Sequence, residues 1–202
     1  EFLTATLNYS IDRTEKIILL KQEIERLNIN FLKPDINFSD PLFSIETNDN
    51  LKSIRFGLAA IKGVGLKSIS SMVDERNKNG KFKSIIDFMN RVSKEVINKR
   101  QLEKLIQAGA FDSIEANRSK LFNNVPKFVE LFGGEKNINQ DMLFEENEIS
   151  FEDKNLFNQN YEKWKNAEIL SNELEVIGFY FSDHPLNHYP KKFFELENIM
   201  SF

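Results

Sequence analysis

Ile61-Lys62-Gly63-Val64-Gly65, followed by Leu66-Lys67-Ser68-Ile69-Ser70-Ser71-Met72, decides how this chain is read. Two glycines two residues apart permit a sharp turn, because positive φ is open to them and no Cβ blocks a close approach. Ile61 and Val64 are spaced to bury beneath that turn. A helix beginning near Leu66 leaves its first N–H groups without intrahelical partners, at the positive end of its dipole. Gly63, Val64 and Gly65 are therefore expected to offer backbone N–H groups, with Lys62 and Lys67 adding charge, and an anion such as a phosphate is the natural occupant. The other reading of the same residues is a plain helix-to-helix corner.

The distribution of charge favours the anion. Residues 1–50 carry 5 basic and 9 acidic side chains, residues 51–132 carry 16 and 8, and residues 134–202 carry 6 and 14. The net charge of -4 thus hides a basic middle third around the glycine turn. A phosphate-bearing partner gains there from the local field as well as from the turn. A solvated lysine-rich face is the competing reading. With 202 residues, 41% of them hydrophobic, the chain is long enough to bury a core. The absence of cysteine excludes disulfides and thiolate metal sites. No apolar run approaches the roughly 18 residues of a membrane span, so a cytoplasmic protein without membrane contact is expected. The ends, Glu1-Phe2 and Met200-Ser201-Phe202, lead us to expect a piece of a longer protein.

Working outward from the turn, Ile17, Leu20, Ile24 and Leu27 make one stripe of a helix over 12–28. Pro34, Asp35 and Asn37 break it, and 33–50 reads as an irregular loop. Residues 53–58 fit a short strand or the entry to a first hairpin helix at 57–61. After the turn, Ile69, Met72 and Val73 line a helix that Asn79-Gly80 ends. Ser84 opens a short helix. Asn98 to Ile106 forms another, which Gly109 closes, and Asn117 caps a helix over 118–132 that stops at Gly133-Gly134. The pattern is a helix-hairpin-helix with a degenerate second copy. The two units should pack together, burying Leu102, Leu105, Ile106, Phe111 and Leu121 with Ile61, Val64 and Ile69. Lys99 and Arg100 open the second unit's helix and join the candidate backbone-binding residues. The fold class is mainly α: a small helical domain of tandem helix-hairpin-helix units over 51–133.

Residues 134–160 are Asn-rich and acidic with no sustained period, which is linker composition. Within them Gln140-Asp141-Met142-Leu143-Phe144 places an apolar cluster behind an amide, either an anchor for a partner's groove or a segment folding back. A helix is expected over 161–180. His184 and His188 flank Pro185, have no third ligand nearby and do not make a metal site. No phosphate-binding P-loop, nucleophile elbow, paired zinc histidines or cysteine nucleophile occurs, and Asp12, Asp35 and Asp40 are not spaced to hold two divalent ions. The segment is expected to perform no chemistry of its own.

Three strings, Ile54 to Gly65, Asn98 to Asp112 and Glu175 to Leu186, stand in an order and at separations that resemble the alpha-subunit family of bacterial DNA polymerase III, the C-family replicative polymerases. The resemblance covers nearly the whole chain. Asp183 departs from the Gly often found before His-Pro. The resemblance implies that residues 1–50 are the end of a fingers region and that 51–133 grip the duplex DNA backbone. It further implies that 134–160 link to an element, 161–202, leading toward an OB-fold domain. Residues 140–144 would then bind the beta sliding clamp, and other replisome subunits would be reached through the parent chain. The resemblance also implies a DNA-directed DNA polymerase whose catalytic aspartates and Mg2+ belong to a palm that this chain lacks. A protein-interaction module, with the hairpin as a structural corner, is the alternative.

Overall fold

The computed structural model describes residues 1–48, 51–92, 96–133 and 161–188; Gln140 to Phe144 lie outside them. Among the described residues are seven α-helices: α1 (Phe2–Tyr9), α2 (Thr14–Arg26), α3 (Leu66–Asn79), α4 (Ile85–Arg91), α5 (Lys99–Gln107), α6 (Arg118–Gly133) and α7 (Asn166–Val176). A small sheet in the order β1-β3-β2 is made of β1 (Asn30–Leu32), β2 (Ser44–Asn48) and β3 (Leu51–Arg55). The mainly helical class read from the sequence is the observed one.

Local chemistry explains several helix ends. The Ser84 hydroxyl accepts from the Asp87 N–H at 3.1 Å, and the Asn98 side chain accepts from the Gln101 N–H at 3.0 Å. Asn117 does the same for the Lys120 N–H at 3.1 Å. Gly80 ends α3 at φ +86, and Gly109 turns the chain after α5 at φ +77, both in the left-handed region. Ile17, Ile24, Ile61, Val64, Ile69, Leu102, Leu105, Ile106, Phe111 and Leu121 are buried in one continuous core, so the two hairpin units do pack together. Leu27, the last of the expected α2 stripe, lies beyond the helix end and is exposed.

Three expectations are corrected. Residues 33–50 are not all loop, because Ser44–Asn48 pairs antiparallel with β3, Ile45 opposite Ile54. The first hairpin helix at 57–61 is a single 3-10 turn, Leu58–Ala60, preceded by Gly57 in extended conformation. A Cβ on Gly57 would sit 2.5 Å from the Leu42 carbonyl carbon, so the backbones touch where a longer helix would start. The helix expected over 161–180 occupies only Asn166–Val176. It is stopped by Gly178, at φ +98, whose Cβ would fall 2.2 Å from the Thr14 methyl group.

The sheet also joins the two sides of residue 50. β1 runs parallel to β3, with Phe31 opposite Ile54. Phe31, Phe43, Phe56, Phe179 and Phe181 form a ring cluster with centroid distances between 5.0 and 6.2 Å for the pairs around Phe56 and Phe31. The stretch between β1 and β2 is fixed by polar bonds: Asn37 exchanges two hydrogen bonds with the Phe82 backbone, and buried Arg76 donates to the Ile36 and Ser39 carbonyls.

Candidate nucleic-acid interface

The glycine turn follows the 3-10 turn and opens α3. Gly63 has φ +82, a conformation that an L side chain rarely adopts, while Gly65 is extended at φ -83 and is the residue before the helix. Unlike α4, α5 and α6, α3 begins without a side-chain cap. Among the described residues no backbone carbonyl accepts from the N–H groups of Gly63, Gly65, Leu66, Lys67 or Ser68. The Val64 N–H is different: it donates to the Ile61 carbonyl at 3.1 Å, and the Val64 side chain is buried. Val64 therefore closes the turn rather than offering a donor. The Lys62 N–H is likewise used, donating to the Val176 carbonyl at 2.9 Å.

The start of α5 lies beside the start of α3. Gln101 Nε2 donates to Ser68 Oγ at 3.4 Å and is 3.4 Å from where a Gly65 Cβ would be, and the Lys104 stem passes 3.8 Å from the corresponding point on Gly63. Gln101 Oε1 is buried and has no hydrogen-bond partner. The two helix N-termini thus lie side by side, and Lys62, Lys67, Lys99 and Arg100 stand at or next to their starts. All four cations are exposed. Lys62, Lys67 and Arg100 make no ion pair among the described residues, and Lys99 is only 3.9 Å from Glu103. Such a face supplies backbone donors and charge for phosphate oxygens, and no arrangement for reading base edges.

Behind this face lies an ionic network that sequence reasoning missed. Arg118, 7% exposed, forms a two-point bond with Asp112 at 2.8 and 2.8 Å and reaches Glu173 Oε1 at 2.9 Å. Glu173 is fully buried and also accepts from the Phe181 and Ser182 N–H groups and the Ser182 hydroxyl. Burial would push the Asp112 carboxyl up, but Arg118 and then Lys33 hold it below the ordinary carboxylate range. Burial likewise opposes the Arg118 charge, yet Asp112 and Glu173 raise it above its usual value. Asp35, which faces Ser113, moves the other way: desolvation raises it despite bonds from the Asn37 N–H and Ser113. In the sequence these are only an arginine at the first position of α6, an acid three residues after the Gly109 corner and a glutamate near the end of α7, with nothing local to connect them.

Among the described residues no group of three or more His, Cys, Asp or Glu side chains is placed to hold a metal ion such as Mg2+. No described helix is long and apolar enough to cross a membrane.

Residues 28–121 match the helix-hairpin-helix motif family. The chain is 38% identical over 194 residues to the DNA polymerase III subunit alpha of Borreliella burgdorferi, covering 94% of this chain and 17% of that protein. The subunit of the same name from Neisseria meningitidis serogroup A is 38% identical over 193 residues, covering 95% and 16% respectively. That of Escherichia coli K12 is 33% identical over 198 residues, covering 95% and 17%. The chain thus spans about one sixth of the length of these curated relatives. Across nearly all its length this chain is homologous to one segment of the alpha subunits of bacterial DNA polymerase III, and its residues 28–121 match the helix-hairpin-helix motif family.

Proposed function

We propose that this chain is the part of a replicative DNA-directed DNA polymerase that grips duplex DNA by its backbone and binds the beta sliding clamp, without catalysing a reaction itself. The observation that carries the DNA reading is the meeting of the α3 and α5 N-termini on one face with exposed, unpaired Lys62, Lys67 and Arg100. Gly63 and Gly65 offer N–H donors, continued by the first turn of α3. Lys62, Lys67, Lys99 and Arg100 supply the charge, and Val64 anchors the turn. Palm-borne aspartates with Mg2+, and contacts to other replisome subunits, belong to the parent chain in this reading.

Duplex binding measured by fluorescence anisotropy against salt tests it. Two to four phosphate contacts give a slope of log affinity against log salt of about -2 to -4, at roughly 0.9 per phosphate. Lys62→Ala with Lys67→Ala flattens that slope by about 2 if both residues contact phosphates. Binding that ignores salt sinks the DNA reading and leaves the hairpin as a structural corner of an interaction module.

Clamp binding rests on the order of residues in Gln140-Asp141-Met142-Leu143-Phe144 and on homology to a replicative polymerase subunit. Leu143 and Phe144 fill a pocket, and Gln140 bonds its rim. A Leu143→Ala, Phe144→Ala double variant should lose most of a micromolar affinity, roughly 8 kcal/mol in total, for purified clamp. Clamp binding that survives this change removes the assignment.

A further inference from the structure

We propose that Lys104 is a further phosphate ligand of the hairpin face, held in reserve by Glu175, so that a carboxylate on α7 sets how many backbone phosphates that face engages. The inference rests on the reading of the hairpin as a DNA grip. Lys104 lies one helical turn beyond Arg100 on α5, so the two side chains share a face. Its stem passes beside Gly63, with Cγ 3.8 Å from the position of a Gly63 Cβ. Yet its ammonium does not stand free as those of Lys62 and Lys67 do: it bonds Glu175 at 2.6 Å and Gln107 at 3.0 Å.

The pair is built to exchange partners. The Glu175 side chain is 59% exposed and that of Lys104 is 20% exposed, so the bridge is wet on its acidic side and weakened by salt. A phosphate at the hairpin competes for the same ammonium with more than one oxygen. The end of α7 also touches the turn directly, since the Val176 carbonyl accepts from the Lys62 N–H. The negative end of the α7 dipole and the Glu175 charge therefore both lie beside the anion site and oppose its occupation. Replacing Glu175 leaves the buried Arg118–Glu173 bond two residues away intact.

The test compares four versions of the full chain, wild type, Glu175→Gln, Lys104→Met and the double variant, binding a fluorescent DNA duplex across a salt series, with circular dichroism confirming that each is folded. Lys104→Gln replaces Lys104→Met if the latter does not fold. The expected result is that Glu175→Gln tightens binding and steepens the salt slope by about 0.9, so that its advantage shrinks about 3.5-fold between about 50 and about 200 mM salt. The gain should vanish in the Lys104→Met background. A gain that persists without Lys104, or an unchanged slope in Glu175→Gln, overturns the reserve ligand while leaving the hairpin grip standing. Wild-type binding without salt dependence overturns the grip, and the reserve ligand with it.

Discussion

Gly63 and Gly65 look equivalent in sequence, yet they occupy different physical situations. Gly63 needs its positive φ, whereas Gly65 is extended, and a Cβ there would meet only the ends of the Gln101 and Ser68 side chains. Gly63→Ala should therefore lower stability by about 1–2 kcal/mol through backbone strain alone, and Gly65→Ala by less than about 0.5 kcal/mol, as read from urea midpoints. If the hairpin grips DNA as proposed, Gly65→Ala should still weaken duplex binding, because its methyl group would stand beside the proposed N–H donors. Gly109 is the severe case: its φ is +77, and a Cβ there would lie 2.1 Å from Arg118 Nη2. Alanine at 109 must displace a buried guanidinium from its partners, at a cost of about 3–5 kcal/mol, enough to remove a large part of a domain's stability in the same urea experiment.

Among the elements, α6 and α7 are joined by charge. The Asp112 carboxyl is held below its unfolded value, so its contribution to stability is complete above the unfolded pKa of about 4 and is lost as pH falls through the lower, folded value. Asp35 acts in the opposite sense, since its raised folded value means that protonation favours the folded chain as pH falls. Asp112→Asn should cost about 3 kcal/mol near neutral pH and make the acid side of the stability profile shallower than that of wild type. An unchanged acid limb in chemical denaturation at stepped pH would show that the pair carries no linkage. The helices here were largely legible in sequence, because Ser84, Asn98, Asn117, Gly80 and Gly109 are local signals lying next to the residues they organise. The sheet was not. Ser44-Ile45-Glu46-Thr47-Asn48 has a single apolar residue, and its strand exists because β3 pairs with it and with β1. The candidate site divides the same way: the turn, its glycines and its lysines could be read from spacing. The Val64 N–H bond, the neighbouring α5 start and the Arg118 network depend on chain segments brought together only by folding.

For the whole molecule, one core runs from Leu7 through the hairpin units to Phe179. Far-ultraviolet dichroism and the fluorescence of Trp164, which packs 5.4 Å from Phe122, should therefore report a single, coincident urea transition. Two separated transitions would mean that α7 unfolds apart from the hairpins. Phe56, fully buried at the centre of the ring cluster, should carry this coupling: Phe56→Ala is expected to cost about 3–5 kcal/mol and to shift both signals together.

Gly178 against Thr14, the Lys62 N–H on Val176 and Arg118 on Glu173 seat α7 and the turn after it directly on residues of the first 133. Fragments 1–133 and 161–202, expressed as separate polypeptides, should then recognise each other and rebuild the hairpin face by complementation. In this sense α7 is a ligand of its own protein, and joining it covalently to the hairpins adds an effective concentration to contacts that α7 already makes.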